Sequence, residues 1–183
     1  MMRRPLLTAL LLIVALPACA GGNGDDGAAR RGSVALAGGP AGETGNGGGD
    51  RFRGMVLRDA RGAAINLDDY RGDVRVFDVW ASWCGPCRMG IPHLNAIYES
   101  YRDRGVVVIG LSVDDSPADV LAFIKEIPIR YPNGMWNHDL ARALGQPAVI
   151  PTTFLVDRTG KVSKRFRGFV DARTLETAIR DLL

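Results

Sequence analysis

Two cysteines, Cys84 and Cys87, stand either side of Gly85-Pro86 in the stretch VWASWCGPCRMGIPH. Thiols this close together can do three things: staple the fold, supply half of a metal site, or exchange a disulfide with another molecule. A disulfide across two residues closes a very short loop, where the entropic gain is smallest. A structural metal site needs four ligands and a catalytic one at least three. Beyond this pair the chain offers only His93, His138 and the distant Cys19. Exchange fits better. An apolar strand ends at Trp80 and a helix is predicted to begin near Cys84. The first thiol would then meet the unpaired N–H groups and positive dipole end of that helix, which favour thiolate, and only thiolate attacks a disulfide. Pro86 suits an early helical position. Cys87, one turn along, is placed to attack a mixed disulfide and release the product.

The elements that must hold these thiols can be read from residue 51 onward. Arg53 to Arg58 and Ala63 to Leu67 read as short strands around an Asp59-Ala60-Arg61-Gly62 turn. Val74 to Trp80 is an apolar strand interrupted only by Arg75 and Asp78. The helix from the cysteines is predicted to run to about Arg104 and stop at Gly105. VVVIGLSV, 106 to 113, has the continuous β-branched run of a buried strand. Ser116 and Pro117 give an N-cap and first helical position for a helix to about Glu126. A short strand is expected at Ile129 to Tyr131, a short helix at His138 to Leu144, a strand at Thr152 to Val156 and its hairpin partner at Lys161 to Phe166. Asp171 caps a last helix whose apolar stripe is Leu175, Ala178, Ile179 and Leu182. Strands alternating with helices predict an α/β fold with helices on both faces of a central sheet. His93, His138 and the Asp114-Asp115 pair are read as packing, capping and helix-entry residues, not as ligands.

The first 50 residues differ in kind. Arg3 and Arg4 precede an apolar run, Leu6 to Leu16, that is too short to span a bilayer of ~30 Å and has the length of a signal-peptide core. Leu16-Pro17-Ala18-Cys19 follows and resembles the lipobox of bacterial lipoproteins. That resemblance implies cleavage of residues 1–18 and thioether lipidation of Cys19, which also explains the odd cysteine among three. Residues 20 to 50 are Gly-rich and carry no aromatic residue. Such a segment cannot bury enough apolar surface to offset its ordering entropy. With Cys19 it is expected to act as a tether, 19–50, with an r.m.s. span of roughly 30 Å. The formal charge of +3 loses Arg3 and Arg4 on cleavage, leaving 21 basic and 20 acidic residues. That balance gives no reason to expect a nucleic-acid partner.

The segment Phe77-Asp78-Val79-Trp80-Ala81-Ser82-Trp83-Cys84-Gly85-Pro86-Cys87-Arg88, the internal Pro92, the Ile150-Pro151-Thr152-Thr153 loop and Gly168 together resemble the thioredoxin superfamily. The membrane-tethered TlpA/ResA-like branch matches best. The resemblance covers 51 to about 183, and the separation of 64 positions from Cys87 to Pro151 leaves room for the strand–helix insertion of that branch, near Ser116 to Tyr131. It implies a thioredoxin fold: a central mixed sheet flanked by helices, with an N-terminal β-hairpin. It implies that Pro151 is cis and faces the cysteines, so that Ile150 and Pro151, with Trp83, Gly85, Pro86 and Gly168, line a substrate groove. It implies that Asp78, a carboxylate that would be costly to bury unused, accepts the proton of Cys87 through water. Gly90 departs from the acidic residue that ResA-like members often carry there.

The expected activity is that of an extracytoplasmic protein-disulfide reductase working through Cys84 and Cys87, a monomer on the periplasmic or outer face of a bacterial membrane. No cofactor or metal is expected. The resemblance implies disulfide-bearing exported proteins as substrates, apocytochrome c foremost, and a membrane thiol-electron transporter as donor. The alternatives are an oxidase or isomerase of folding proteins and, from another class, a copper chaperone of similar fold. The latter fits poorly, because it pairs more widely spaced cysteines with a histidine. A thiol peroxidase is disfavoured, because no lone cysteine follows a Pro-x-x-Thr pattern.

Overall fold

A computed structural model of the chain describes residues 49–183, which fall within one compact unit, Gly45–Leu183. The expected signal peptide, Cys19 and nearly all of the tether lie outside the described residues. Among the described residues, no helix is long and apolar enough to cross a membrane.

Two three-residue strands, β1 (Val56–Arg58) and β2 (Ala64–Asn66), form an antiparallel hairpin. The turn is closed by Asp59, whose N–H donates to the Ala63 carbonyl and whose side chain accepts from Arg61 and Ala63 N–H. The strands are shorter than the sequence predicts. Before β1 the chain turns at Phe52 to Gly54, with Gly54 at φ 72°. After β2, Asn66 accepts from Asp68 N–H and starts a 3-10 turn over Leu67–Tyr70.

The main sheet contains β3 (Val74–Trp80), β4 (Val106–Ser112), β5 (Asn133–Met135), β6 (Thr152–Val156) and β7 (Val162–Arg167), in the order β5-β4-β3-β6-β7. Pairs β3–β4 and β4–β5 are parallel, while β3–β6 and β6–β7 are antiparallel. Every residue of β3 and β4 is buried, as central strands covered on both faces must be. Their alternation divides the core. Val74, Val76, Val106 and Val108 pack under helices α1 (Gly85–Tyr101) and α4 (Ala172–Arg180). Phe77, Val79, Val107, Ile109 and Leu111 pack against Phe52, Leu57 and Leu67 of the hairpin region and against Leu140 and Leu144 of helix α3 (His138–Leu144). Trp80 meets Ile91 of α1 and Phe123 of helix α2 (Pro117–Glu126), its ring centroid 4.8 Å from that of Phe123. The fully buried Arg75 is paired with Asp50 at 2.8 Å and lies over the Phe52 ring, so its charge is compensated at the end of the sheet remote from the cysteines.

Two boundaries depart from the sequence reading. The first α-helix ends at Tyr101 and tightens into a 3-10 turn, Arg102–Arg104, before Gly105 at φ 77°. The strand expected at Ile129 to Tyr131 lies instead at Asn133–Met135. Residues 128–130 are tied to α1 by a side chain: Asn95 donates to the Pro128 carbonyl and accepts from Arg130 N–H. Pro132 then lacks the N–H that a ladder needs. The insertion between α1 and the Pro151 loop thus consists of α2 and the edge strand β5.

Candidate functional site

The sequence places the cysteines at the point where β3 gives way to α1, and the structure shows why that junction is rigid. Ser82, in the connecting turn, donates its N–H and hydroxyl to Asp114, and Ser112 donates its hydroxyl to the same carboxylate. Asp114 therefore pins the loop before Cys84 to the end of β4. Cys84 is the N-cap of α1, and its Sγ accepts from Cys87 N–H at 3.3 Å. Pro86 occupies the first turn, where its missing N–H is no loss. Pro92 lies inside the same helix.

Cys84 and Cys87 are joined as a disulfide, with Cα atoms 5.3 Å apart. Both cysteines are buried in this disulfide, Cys84 at 5% and Cys87 at 2% exposure. Around them the surface is apolar: Trp83 is 71% exposed, and Met89, Val149 and Phe169 are also exposed. Gly85 and Pro86 are exposed beside Trp83. The Ile150–Pro151 peptide is cis. The Pro151 carbonyl accepts from Gly168 N–H at 2.8 Å, and Gly168 holds φ 82°, a conformation other residues rarely adopt. The structure thus brings Cys87 and Pro151 to one pocket and fastens Gly168 to that loop.

The floor of that pocket is Asp78. Its lining includes Asp78, Cys87, His93, Pro151, Thr153 and Phe169. The cavity there has a volume of about 20 Å³, room for about one water molecule. Asp78 is 3% exposed. Its Oδ1 accepts from Thr153 Oγ1 at 3.0 Å, across the β3–β6 ladder in which the two residues are partners. Burial pushes its carboxyl up to about 6, and the Thr153 hydrogen bond opposes that shift in part. His93 sits at the rim with its ring centroid 5.9 Å from that of Phe169. Gly90 faces the same Phe169 ring.

Two contributors escaped the sequence reading. Asp114, read as part of a helix-entry loop, anchors Ser82. Its only signal was its position just past the end of a buried strand neighbouring the cysteine strand. Phe169, next to Gly168, forms one wall of the pocket, and nothing local marks it.

A strand–turn–helix that presents a Cys-Gly-Pro-Cys disulfide opposite a cis-proline loop, on a mixed sheet covered by helices on both faces, defines a thiol–disulfide oxidoreductase of thioredoxin fold. The chain belongs to the AhpC/TSA family, whose profile matches residues 49–165. It is similar to a thiol-disulfide oxidoreductase ResA of Bacillus cereus, with 30% identity over 122 residues, 67% of this chain and 70% of the relative. It is also similar to ResA of Geobacillus thermodenitrificans, at 32% over 114 residues, 62% and 66% of the two chains. Among solved structures, a DsbF homologue from Corynebacterium diphtheriae superposes with a TM-score of 0.64 at 30% identity, covering 70% of this chain and 83% of that one. A thiol:disulfide interchange protein of the thioredoxin family from Chlorobium tepidum TLS gives a TM-score of 0.64 at 25% identity, covering 70% and 92%.

Proposed function

We propose that the protein is an extracytoplasmic reductase of protein disulfides, tethered to a bacterial membrane through lipidated Cys19. Its folded domain spans residues 51–183. The observation that carries the reading is that Cys87, disulfide-bonded to Cys84, lines one pocket with the buried carboxylate of Asp78. Cys84, stabilised as thiolate by the N–H groups of α1, attacks one sulfur of a substrate disulfide, and the other leaves as thiolate. Cys87 then gives its proton through a water in the pocket to Asp78 and attacks Cys84 Sγ. The second substrate sulfur departs as thiolate and the Cys84–Cys87 disulfide closes. Two electrons pass to the substrate, whose thiolates take up protons, Asp78 returning the one it holds.

The exposed apolar collar of Trp83, Met89, Val149 and Phe169, with Gly85, Pro86, Ile150, Pro151 and Gly168, supports a docking surface for an extended substrate segment. Such a segment can hydrogen-bond to the backbone of the Pro151 loop. Exported proteins, apocytochrome c among them, are the substrate class, and the domain works as a monomer. In an oxidising compartment the closed disulfide needs electrons, which a membrane thiol-electron transporter would supply. Equilibrating the pair against glutathione tests the direction. A potential near roughly −270 mV, that of thioredoxin, supports reduction; one near the ~−120 mV of DsbA rejects it in favour of oxidation.

A further inference from the structure

Asp78 has a second buried neighbour that the exchange chemistry leaves unused. Directly across the parallel β3–β4 pair stands Gly110. A Cβ at Gly110 would run into Asn133 Oδ1 and lie 3.1 Å from Tyr131 Cε2. The missing side chain therefore opens the space, next to Asp78 on the same face of the sheet, into which Tyr131 reaches. Tyr131 is 4% exposed, and its ring edge meets Tyr98 of α1 at 6.4 Å. Among the described residues its hydroxyl has no hydrogen-bond partner. The flanking segment is fixed by Asn95, as described above. Asn133 is oriented by accepting from Trp80 Nε1 at 2.8 Å, which leaves its Nδ2 buried and also without a partner.

Buried donors without acceptors are rare because each forfeits its hydration. Here two of them crowd the strand position beside a buried carboxylate. Among the described residues that carboxylate has one side-chain donor, Thr153 Oγ1, whereas an ionised carboxylate accepts up to about four hydrogen bonds.

We propose that Tyr131 is a positioning residue for Asp78: its hydroxyl turns its hydrogen toward the ionised Asp78 carboxylate and so sets the pH at which Asp78 takes the Cys87 proton. The hydroxyl is not hydrogen-bonded to Asp78 in this structure; with no other acceptor among the described residues, it is free to turn toward the carboxylate as charge forms there. Burial first, and then the charge of Asp78, raise the Tyr131 phenol well above its usual value of 10.0, so it stays a neutral donor throughout the working range. The other titratable groups facing this pair are Cys87 and His93, both of α1 and in the pocket, and Tyr98 at the ring edge. Helix α4 contributes Ala172 and Leu175 to the pocket, β4 contributes only Gly110 beside Asp78, and β6 contributes Thr153.

The inference rests on Asp78 being the proton acceptor, and the experiment separates the two. In the oxidised full-length protein, where neither cysteine of the pair titrates, the Asp78 carboxyl is followed by ¹³C NMR against pH. Tyr131→Phe should raise its midpoint by about one unit, which is ~1.4 kcal/mol. Site-specific 3-fluorotyrosine at 131, a stronger donor of nearly the same shape, should lower it. An unchanged midpoint in both proteins overturns the inference. If Tyr131→Phe does not fold, the fluorotyrosine protein decides alone. A native rate of insulin-disulfide reduction by Asp78→Asn at pH 7 would instead overturn the acceptor role, whatever the titration shows.

Discussion

Replacing Asp78 by Asn should stabilise the protein while slowing it, and the gain should depend on pH in a way fixed by the site. The unfolded chain loses this proton near 3.8 and the folded protein near 6. Between those values the folded state binds the extra proton, so stability falls as pH rises through the window. Above it the full cost remains: about two units at 1.36 kcal/mol each, or ~3 kcal/mol. Asn has the shape of the protonated acid and can still accept from Thr153 Oγ1, but it never ionises. The Asp78→Asn protein should therefore match the native one near pH 3.5 and exceed it by up to ~3 kcal/mol at pH 8. Urea denaturation of both proteins, oxidised and at a series of pH values, measures this as a shift in midpoint at constant slope. His93, His138 and the remaining acids are common to both proteins and cancel in the difference. A gain that is the same at both ends of the range would refute the reasoning, because it would trace to packing and not to ionisation. A loss at pH 8 would refute it outright.

Three further outcomes follow from the same geometry. In the reduced protein Cys84 should alkylate before Cys87, and Cys87→Ser should accumulate mixed disulfides with a substrate such as insulin whereas Cys84→Ser should not; mass spectrometry of timed quenches gives both. Gly110→Ala should cost about 1–3 kcal/mol, as overpacking a filled core does, because its Cβ would displace Asn133 and crowd Tyr131; thermal unfolding checks it. When the full chain is made in bacteria, the mature N-terminus should be an acylated Cys19, and a peptide mass showing an unmodified Cys19 or cleavage elsewhere would remove the anchor from the proposal.

The parts of the fold legible in the sequence were those decided by short-range rules. Val74–Trp80 and Thr152–Val156 begin and end where they were expected, because a strand buried on both faces must be apolar at consecutive positions. Helix α2 begins at Pro117 after its cap Ser116, and α4 follows Asp171, because a cap satisfies local N–H groups. The strand expected at Ile129 to Tyr131 failed for the opposite reason. Asn95, more than thirty residues away, takes up the hydrogen bonds of that segment, and no window of sequence contains both partners. The site divides in the same way. Cys84 and Cys87 could be read from one segment, and Asp78 and the Pro151 loop from a resemblance. Asp114 and Tyr131 act only once β4 lies beside β3. The signal for Tyr131 is the absence of a side chain at Gly110, which a sequence offers no reason to notice.

The two sulfurs, three residues apart, have different surroundings, and on the proposed mechanism this difference orders the exchange. Cys84 Sγ already accepts an N–H at the start of α1, so negative charge is favoured there. Cys87 is more deeply buried, above a carboxylate whose charge opposes a second thiolate. On the proposed mechanism the thiolate of the reduced protein resides on Cys84. Once Cys84 is tied up in a mixed disulfide its charge is gone, and deprotonation of Cys87 becomes the step that must be assisted. An ordinary carboxylate near about 3.9 is a poor acceptor from a thiol near about 8.5, because the uphill transfer spans almost five units. Raising Asp78 to about 6 roughly halves that gap and brings the base toward the operating pH, where general-base catalysis is most effective. Burial makes Asp78 expensive to ionise in the folded protein and, on the proposed mechanism, competent to take the proton, so the cost in stability and the gain in rate would share one physical origin.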